Sequence, residues 1–379
     1  MKESYELRLY DQTLIAFTLM GSSTDYTAEI DHTYEPAELY PLGLKISGED
    51  ILRWISRRVI PRKRAFAYAI TQTLGLGANA TKGIMDVSRL LSLTDSYWVV
   101  PKGFKGKFAD FNLYENRFSE VLSLVAFTGV IQEDPTFFTS PELTTDGVLP
   151  KAWRYIENDG IYLYKRGTVA SLYLVKEPYI EYYASQIAET MELNAVHYDL
   201  EIWEDIPASK CRLFTDIHTS FVPIGRIEKS GRIAAVVNHY DTLGRDFSDA
   251  VRDMLVFDAL IYNEDRHFGN FGLLRDNRTG KIKAPAPIFD NGNSLFRLAG
   301  PDDYSNLEEY AEKLCPVYSN FDDIGRSFIT PRQAEKLRKM ANFSFTRHPK
   351  LNLPEEHLKS MEIFLRKRAS QLIEIAETQ

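Results

Sequence analysis

The stretch that most constrains this chain is Asn263-Glu264-Asp265-Arg266-His267-Phe268-Gly269-Asn270-Phe271-Gly272, which follows an apolar run ending Ala259-Leu260-Ile261-Tyr262. Twenty residues past Asn270 stands Asp290, within Ile288-Phe289-Asp290-Asn291-Gly292. The pattern is an Asp, an Asn five residues later, and a second Asp followed by X-Gly. Phosphoryl transfer needs these residue types. A carboxylate orients or deprotonates the attacking hydroxyl, and Mg²⁺ on the phosphates takes hard oxygen ligands such as Asp and Asn. A polar turn after a buried helix would explain Asp265 as a cap and Asn270 as a turn residue. It would leave Asp290 to chance.

Composition is compatible with an enzyme of this kind. The chain has 379 residues, enough for two domains or one two-lobed domain. Its 12% aromatic content supplies a large core and excludes disorder as the main state. A formal charge of −8 disfavours general nucleic-acid binding, so direct DNA contact is not expected. Two distant cysteines, Cys211 and Cys315, do not make a disulfide framework and read as reduced thiols. The amino terminus has no apolar signal core, and no apolar stretch approaches the ~20 residues that span a bilayer. The expectation is a soluble cytoplasmic protein with no membrane contact.

Along the chain, the segment to Gly48 reads as short strands and loops. A helix is expected from Glu49, carrying Ile51, Leu52, Ile55 and Val59. Pro61 is expected to open the next helix, which stops at Gly75 or Gly77. Between them Arg53, Arg57, Arg58, Arg62, Lys63 and Arg64 form a basic cluster. It reads as a solvated face, or as a surface for nucleic acid or an acidic partner. Ser96–Val100 reads as an aromatic strand and Phe118–Val130 as a helix. Gly160–Val175 reads as two strands around a turn at Lys165-Arg166-Gly167. A helix over Glu181–Met191 follows, then strand-like material to Pro223. The remainder reads as a helix over Phe247–Ile261, irregular chain to Leu298, and helix to the end.

Protein kinases use the Asp, Asn-at-plus-five and Asp-X-Gly arrangement, and Asp265, Asn270 and Asp290 fit it one for one. A kinase also needs a Lys on a strand and a Glu on a helix. Lys165 ends the alternating run Ile161-Tyr162-Leu163-Tyr164-Lys165 and would bind the α/β-phosphates. Glu181, sixteen residues on, could pair with it, with Glu177 and Glu189 as competitors. The G-x-G-x-x-G loop is absent. In its place Thr144-Thr145-Asp146-Gly147-Val148-Leu149-Pro150-Lys151 offers backbone amides around one glycine.

The Asn263–Gly272 string with Asp290-Asn291-Gly292 resembles the HipA-like kinases, the bacterial toxin-type Ser/Thr kinases. More distantly it is similar to lipid kinases of the phosphatidylinositol type, which share an Asp-Arg-His-x-x-Asn loop. Thr144–Lys151 resembles the HipA-like loop Ser-x-x-Gly-x-x-x-Lys. The helix from Glu181 resembles that family's Glu-x-x-x-x-x-Leu-Ala helix, with Ile187 and Ala188 in the last two places. The resemblance covers Thr144 to Arg297 and fades on either side.

It implies an α+β, two-lobed protein-kinase-like fold with ATP and Mg²⁺ in the cleft. The β-rich N-lobe would carry an accessory N-terminal segment, and the C-lobe would be mainly helical. The expected divisions are an accessory region at 1–135, an N-lobe at 136–223 and a C-lobe at 224–379. By position, Asp265 would be the base, and Asn270 and Asp290 the metal ligands. Lys165 would bind phosphate with Glu181 as partner. His267 would lie near the phosphates or serve the loop structurally, and Val222, in Phe221-Val222-Pro223, would fall at the hinge that meets adenine. Thr144 would hold the place of the family's autophosphorylated Ser, with Thr145 adjacent. The substrate would be a protein and an antitoxin-like partner is possible. The alternatives are a small-molecule or lipid kinase on the same fold, and a non-catalytic nucleotide-binding module of a toxin–antitoxin pair.

Overall fold

The computed structural model describes residues 2–21, 25–77, 80–132, 139–168, 175–318 and 320–377. Its strands are β1 (Lys2–Leu9), β2 (Gln12–Gly21), β3 (Tyr26–Thr33), β4 (Tyr97–Pro101), β5 (Lys151–Ile156), β6 (Gly160–Lys165), β7 (Tyr198–Trp203), β8 (Ile206–Arg212), β9 (Thr219–Pro223), β10 (Gly272–Asp276) and β11 (Ile282–Pro285). Its helices are α1 (Gly48–Ser56), α2 (Ala67–Thr73), α3 (Thr81–Ser88), α4 (Glu120–Thr128), α5 (Glu177–Thr190), α6 (Ile233–Leu243), α7 (Arg245–Ile261), α8 (Leu307–Ala311), α9 (Phe321–Phe328), α10 (Pro331–Arg338) and α11 (Glu355–Glu377).

The chain divides into two compact units. The first takes Met1–Lys165, Arg212–Val222 and Leu274–Lys283, and the second takes Arg166–Cys211, Pro223–Leu273 and Ala284–Gln379. The chain therefore passes from one to the other five times. Most strands lie in the first unit, and the second is mainly helical, which is the expected α+β division of a β-rich part and a helical part.

In the first unit, β1 alternates so that Tyr5, Leu7 and Leu9 point inward, the period-2 signature of a half-buried strand. It is the second-last strand of an antiparallel sheet in the order β3-β2-β1-β4, with Leu7 opposite Ile15 and opposite Val99. Helix α1 starts at Ser47, whose hydroxyl accepts the Asp50 N–H, and buries Ile51, Trp54 and Ile55 in the core under this sheet. A second core surrounds the fully buried Trp98, with Phe108, Leu113, Phe118 and Ile161. Strands β11, β10 and β9 form a three-stranded sheet in that order. From β10 the Arg275 guanidinium enters the first unit, donating to Tyr97 Oη (2.6 Å) and to the carbonyls of Tyr40 (3.0 Å), Gly280 (2.8 Å) and Glu38.

Several expectations need correction here. Pro61 does not open a helix. Residues 61–66 form turns, Phe66 adopts a left-handed conformation, and α2 begins only at Ala67. A hairpin turn not foreseen lies at 157–159, ahead of the expected one at Lys165-Arg166-Gly167. β5 and β6 pair from Lys151↔Lys165 to Ile156↔Gly160, and left-handed Asn158 makes the reversal. The expected second strand, to Val175, falls mostly outside the described residues.

The basic cluster is not a continuous surface. Arg58 is buried, pairs with Asp95 (2.6 Å) and lies over the Trp54 ring. Arg64 is buried against Glu142, and Arg53 pairs with Glu49 and Asp50 along its own helix. Half of the cations that might have met an acidic partner are thus already neutralised within the fold.

In the second unit, α7 is buried almost continuously from Val251 to Ile261 and packs on α6, α9 and α11. Left-handed Tyr262 stops it and turns the chain into the polar loop. Helix α5 begins at Glu177, four residues before the expected start. Glu181 consequently sits inside the helix, 2% exposed, and does not open it. β7 and β8 form a hairpin with Tyr198 opposite Cys211. No helix among the described residues is long and apolar enough to cross a membrane.

Candidate active site

Two loops of the second unit carry the Asp and Asn residues. The first, 263–271, leaves α7, and the second, 288–293, runs beside residues 194–198. Ile288 N donates to Asn194 O (2.8 Å), Val196 N donates to Ile288 O (2.8 Å), and Asp290 N donates to Tyr198 Oη (3.2 Å). Asp290 itself is left-handed (φ 59°), a conformation Asp tolerates better than most residues.

Arg266 joins the two loops. It is 2% exposed and its five N–H groups all find acceptors. Two go to the Asp258 carboxylate on α7 (2.9 and 3.0 Å). One reaches Asn270 O (3.1 Å), one Phe289 O and one Asn291 Oδ1 (2.5 Å). Asn263 Nδ2 donates to Asp258 (3.0 Å), while its Oδ1 accepts the Asp265 N–H (3.0 Å). Tyr318 Oη closes the loop from outside by donating to Arg266 O. Burial pushes the Asp258 carboxyl upward, against the pull of Arg266 and Asn263, whereas Arg266 is held more firmly charged. We take the pair as ionised, because guanidinium does not deprotonate in proteins and both Asp258 oxygens accept charge-assisted bonds.

This frame presents three oxygen-bearing side chains. Asn270 donates its amide N–H to Asp265 O (3.0 Å), which leaves its Oδ1 without a bond among the described residues. The Asp265 carboxylate accepts no hydrogen bond there either, and its side chain reaches solvent. Its pKa is nevertheless raised, first by desolvation and further by the charge of Asp290, with His267, Arg266 and Arg297 opposing. The two carboxylates therefore feel each other, an arrangement a cation between or beside them would relieve. Among the described residues no group of three or more His, Cys, Asp or Glu is set to hold a metal ion. The chemistry of the Asn270 Oδ1 and the Asp290 carboxylate nonetheless suits Mg²⁺, which is usually held by one or two carboxylates with phosphates and water completing the shell.

Glu181 meets the second loop from below. A Cβ on Gly292 would come within 3.2 Å of Glu181 Oε1 and 3.3 Å of its Cγ, so the glycine permits the helix and the loop to approach. The competing Glu177 lies beside it, with Arg297 at 3.6 Å. His267 is exposed, and its Nδ1 accepts the Gly269 N–H (3.0 Å), so one ring nitrogen is used within the loop itself.

The other expected site residues belong to the first unit. Lys165 closes β6, is buried (8% exposed), and stands opposite Lys151 in register. Gly147 has φ +99°, a conformation that favours glycine, and a Cβ there would displace the Lys151 ammonium. Thr144 and Thr145 are half-buried just ahead of it, and Val222 is buried in β9 at one of the crossings between units.

Sequence reasoning gave no role to Asp258, Asn263, Arg266 or Asn291, the residues that hold the loops. Asp258 had one usable signal, a carboxylate in an otherwise apolar helical run, where a charge needs a partner.

No protein-family model and no curated protein matches this chain in sequence. Solved structures do. HipA of Shewanella oneidensis MR-1, in a toxin–antitoxin complex with HipB and operator DNA, matches with a TM-score of 0.53 at 14% identity, over 99% of this chain and 100% of that one. The Helicobacter pylori proinflammatory kinase CtkA matches with a TM-score of 0.48 at 20% identity, over 60% of this chain and 93% of that one. The first likeness identifies the fold: this chain folds as HipA does.

Proposed function

We propose that the chain is a kinase of HipA-like type, transferring the γ-phosphoryl group of ATP, with Mg²⁺, to a Ser or Thr of a protein. The observation that carries this reading is the Arg266 bracket, which fixes Asp265, Asn270 and Asp290 on two loops in the chemical order phosphoryl transfer uses. Asp265 would orient the acceptor hydroxyl and take its proton. Asn270 Oδ1 and the Asp290 carboxylate would hold Mg²⁺, whose contribution is to neutralise phosphate charge. Glu181, under Gly292, would set the position of the metal loop and pair with the phosphate-binding Lys165. Lys165 and Lys151 stand opposite each other in register, on the two strands that follow the Gly147 loop. Val222 would meet adenine, and His267 would steady the Asp265 loop. On this reading, residues 1–135 are accessory, 136–223 the nucleotide-binding lobe and 224–379 the catalytic lobe.

A cytoplasmic location belongs to the same proposal, and two free cysteines accord with it. An antitoxin-like partner is proposed on the complex in which Shewanella HipA occurs.

Intact-mass measurement after incubation with Mg²⁺ and ATP tests the reading. Addition of phosphoryl groups to the chain or to an acceptor protein is expected. An unmodified chain and acceptor, with no heat of ATP binding, would overturn it. Asp290→Asn is expected to weaken Mg²⁺-dependent nucleotide binding by about tenfold or more, measured by titration calorimetry with and without the metal. Equal affinity in both proteins would remove Asp290 from the metal.

The raised pKa of Asp265 gives a pH prediction. A base must be deprotonated, so kcat/KM should fall as pH drops through a value above the ordinary Asp pKa of about 4. Stability runs the other way. The folded state holds the Asp265 proton more tightly than the unfolded chain does, so the charged form costs stability once pH exceeds the unfolded pKa. Asp265→Asn should consequently lose the acidic limb of the rate profile without losing stability at neutral pH. An unchanged acidic limb would assign it to another group.

A further inference from the structure

We propose that Arg64, in the amino-terminal region, is the positioning residue of the Thr144–Lys151 loop, and that it clasps this loop with the hydroxyls of Thr144 and Thr145 turned away from any acceptor role. What the loop binds rests on the kinase reading above; the clasp itself does not.

The side chains of Arg64 and Glu142 are both fully buried. Arg64 pairs with Glu142 Oε2 (2.5 Å) just before the loop and donates to Glu142 O (2.8 Å). It reaches Thr145 O (3.4 Å) within the loop and Lys151 O (2.7 Å) at its far end. One planar guanidinium thus spans both ends, a geometry a lysine ammonium cannot reproduce. Glu142 is fixed in turn, since its Oε1 accepts the Trp153 N–H on β5 (2.7 Å). The neighbouring backbone reinforces the contact. Ile60 N donates to Leu143 O (2.7 Å), and Ala65 N donates to Val148 O (2.8 Å). The Ala65 amide, which a helix opening at Pro61 would have used within itself, thus serves the loop.

The hydroxyls are engaged as well. Thr144 Oγ1 donates to Leu91 O (2.7 Å), again in the amino-terminal region. Thr145 Oγ1 donates to Pro141 O (2.7 Å) and accepts the Trp153 indole N–H (3.0 Å). Phosphorylation of either would form a bond between Oγ and the γ-phosphorus, break the bond from that phosphorus to the β,γ-bridging oxygen, release ADP, and pass the hydroxyl proton to the Asp265 carboxylate. That step requires the Thr144–Leu91 or Thr145–Pro141 bond to open first. The amino-terminal region would therefore govern both nucleotide affinity and the rate of loop phosphorylation.

The test uses the full chain carrying Arg64→Lys, with a charge-neutral Arg64→Met/Glu142→Gln pair in reserve because a lone buried Glu142 is costly to folding. Amide exchange without nucleotide should quicken about tenfold or more over 143–151 and stay unchanged over 251–261. With Mg²⁺ and ATP, KM for ATP should rise about tenfold while kcat on an added acceptor stays within about twofold. Phosphate on Thr144 or Thr145 should accumulate faster than in the wild type. Unchanged exchange over 143–151 in both variants overturns the clasp. Faster exchange with unchanged KM and unchanged loop phosphorylation overturns its role in the reaction. Faster exchange in proteins that transfer no phosphate at all, wild type included, leaves the clasp standing and removes the kinase reading.

Discussion

Asp265→Asn is expected to reduce phosphoryl transfer about 10²–10⁴-fold while nucleotide binding persists. The amide keeps the shape of the side chain and cannot accept the hydroxyl proton. The change is well isolated. The Asp265 carboxylate accepts no hydrogen bond among the described residues, and the contacts that fix the loop are made by its backbone, through N–H to Asn263 Oδ1 and O to Asn270 Nδ2. Loss of rate with intact ATP calorimetry and an unchanged melting curve is the expected combination. A variant with wild-type turnover would end the assignment of the base. One that lost rate and nucleotide binding together would show that the carboxylate serves the metal.

Arg266→Met is expected to cost about 3–5 kcal/mol, because it leaves Asp258 buried, charged and without its main partner. Denaturant unfolding measures this as a lower midpoint. The paired change Arg266→Met/Asp258→Leu removes both charges, and such exchanges are often nearly neutral. It should therefore recover much of the stability. Activity should not return, since Asn270 O, Phe289 O and Asn291 Oδ1 still lose the donor that binds the two loops to each other. If the pair restored activity, the bracket would be a stabilising contact only. If the single variant unfolded like the wild type, the ion pair would carry little energy.

The residues proposed for chemistry were legible because their spacing is local. Asp265 and Asn270 sit five residues apart, and Asp290 announces itself by the X-Gly that follows. The residues that hold them were not. Arg266 reads as one more surface charge until the fold buries it against Asp258 and the 289–291 backbone. The basic cluster misled for a related reason. Arg58 and Arg64 find their carboxylates at Asp95 and Glu142, partners 37 and 78 residues away that no helical periodicity reveals. Strand and helix existence followed from period and composition, as in β4 and α7. Boundaries failed where long-range bonds outweighed local preference, as at residues 60–65, where the Ile60 and Ala65 amides bond to the Leu143 and Val148 carbonyls. The early start of α5 has a local cause: Pro178 takes a first-turn position, where its missing N–H costs nothing.

The five passages of chain between the two units bear on biosynthesis. On a ribosome, an amino-terminal domain ordinarily folds as soon as its last residue emerges. Here that moment comes late for the first unit, because residues 274–283 belong to it. Arg275, which ties Tyr97, Tyr40 and Glu38 together, arrives only after the Asp265 loop has been made. Through most of translation the Glu38 and Tyr40 carbonyls therefore lack this donor, and the Tyr97 hydroxyl has only its own bond to Leu39 O. Release of a nascent chain just past residue 165 should yield a protease-sensitive product, and release past 283 one in which the first unit is protected.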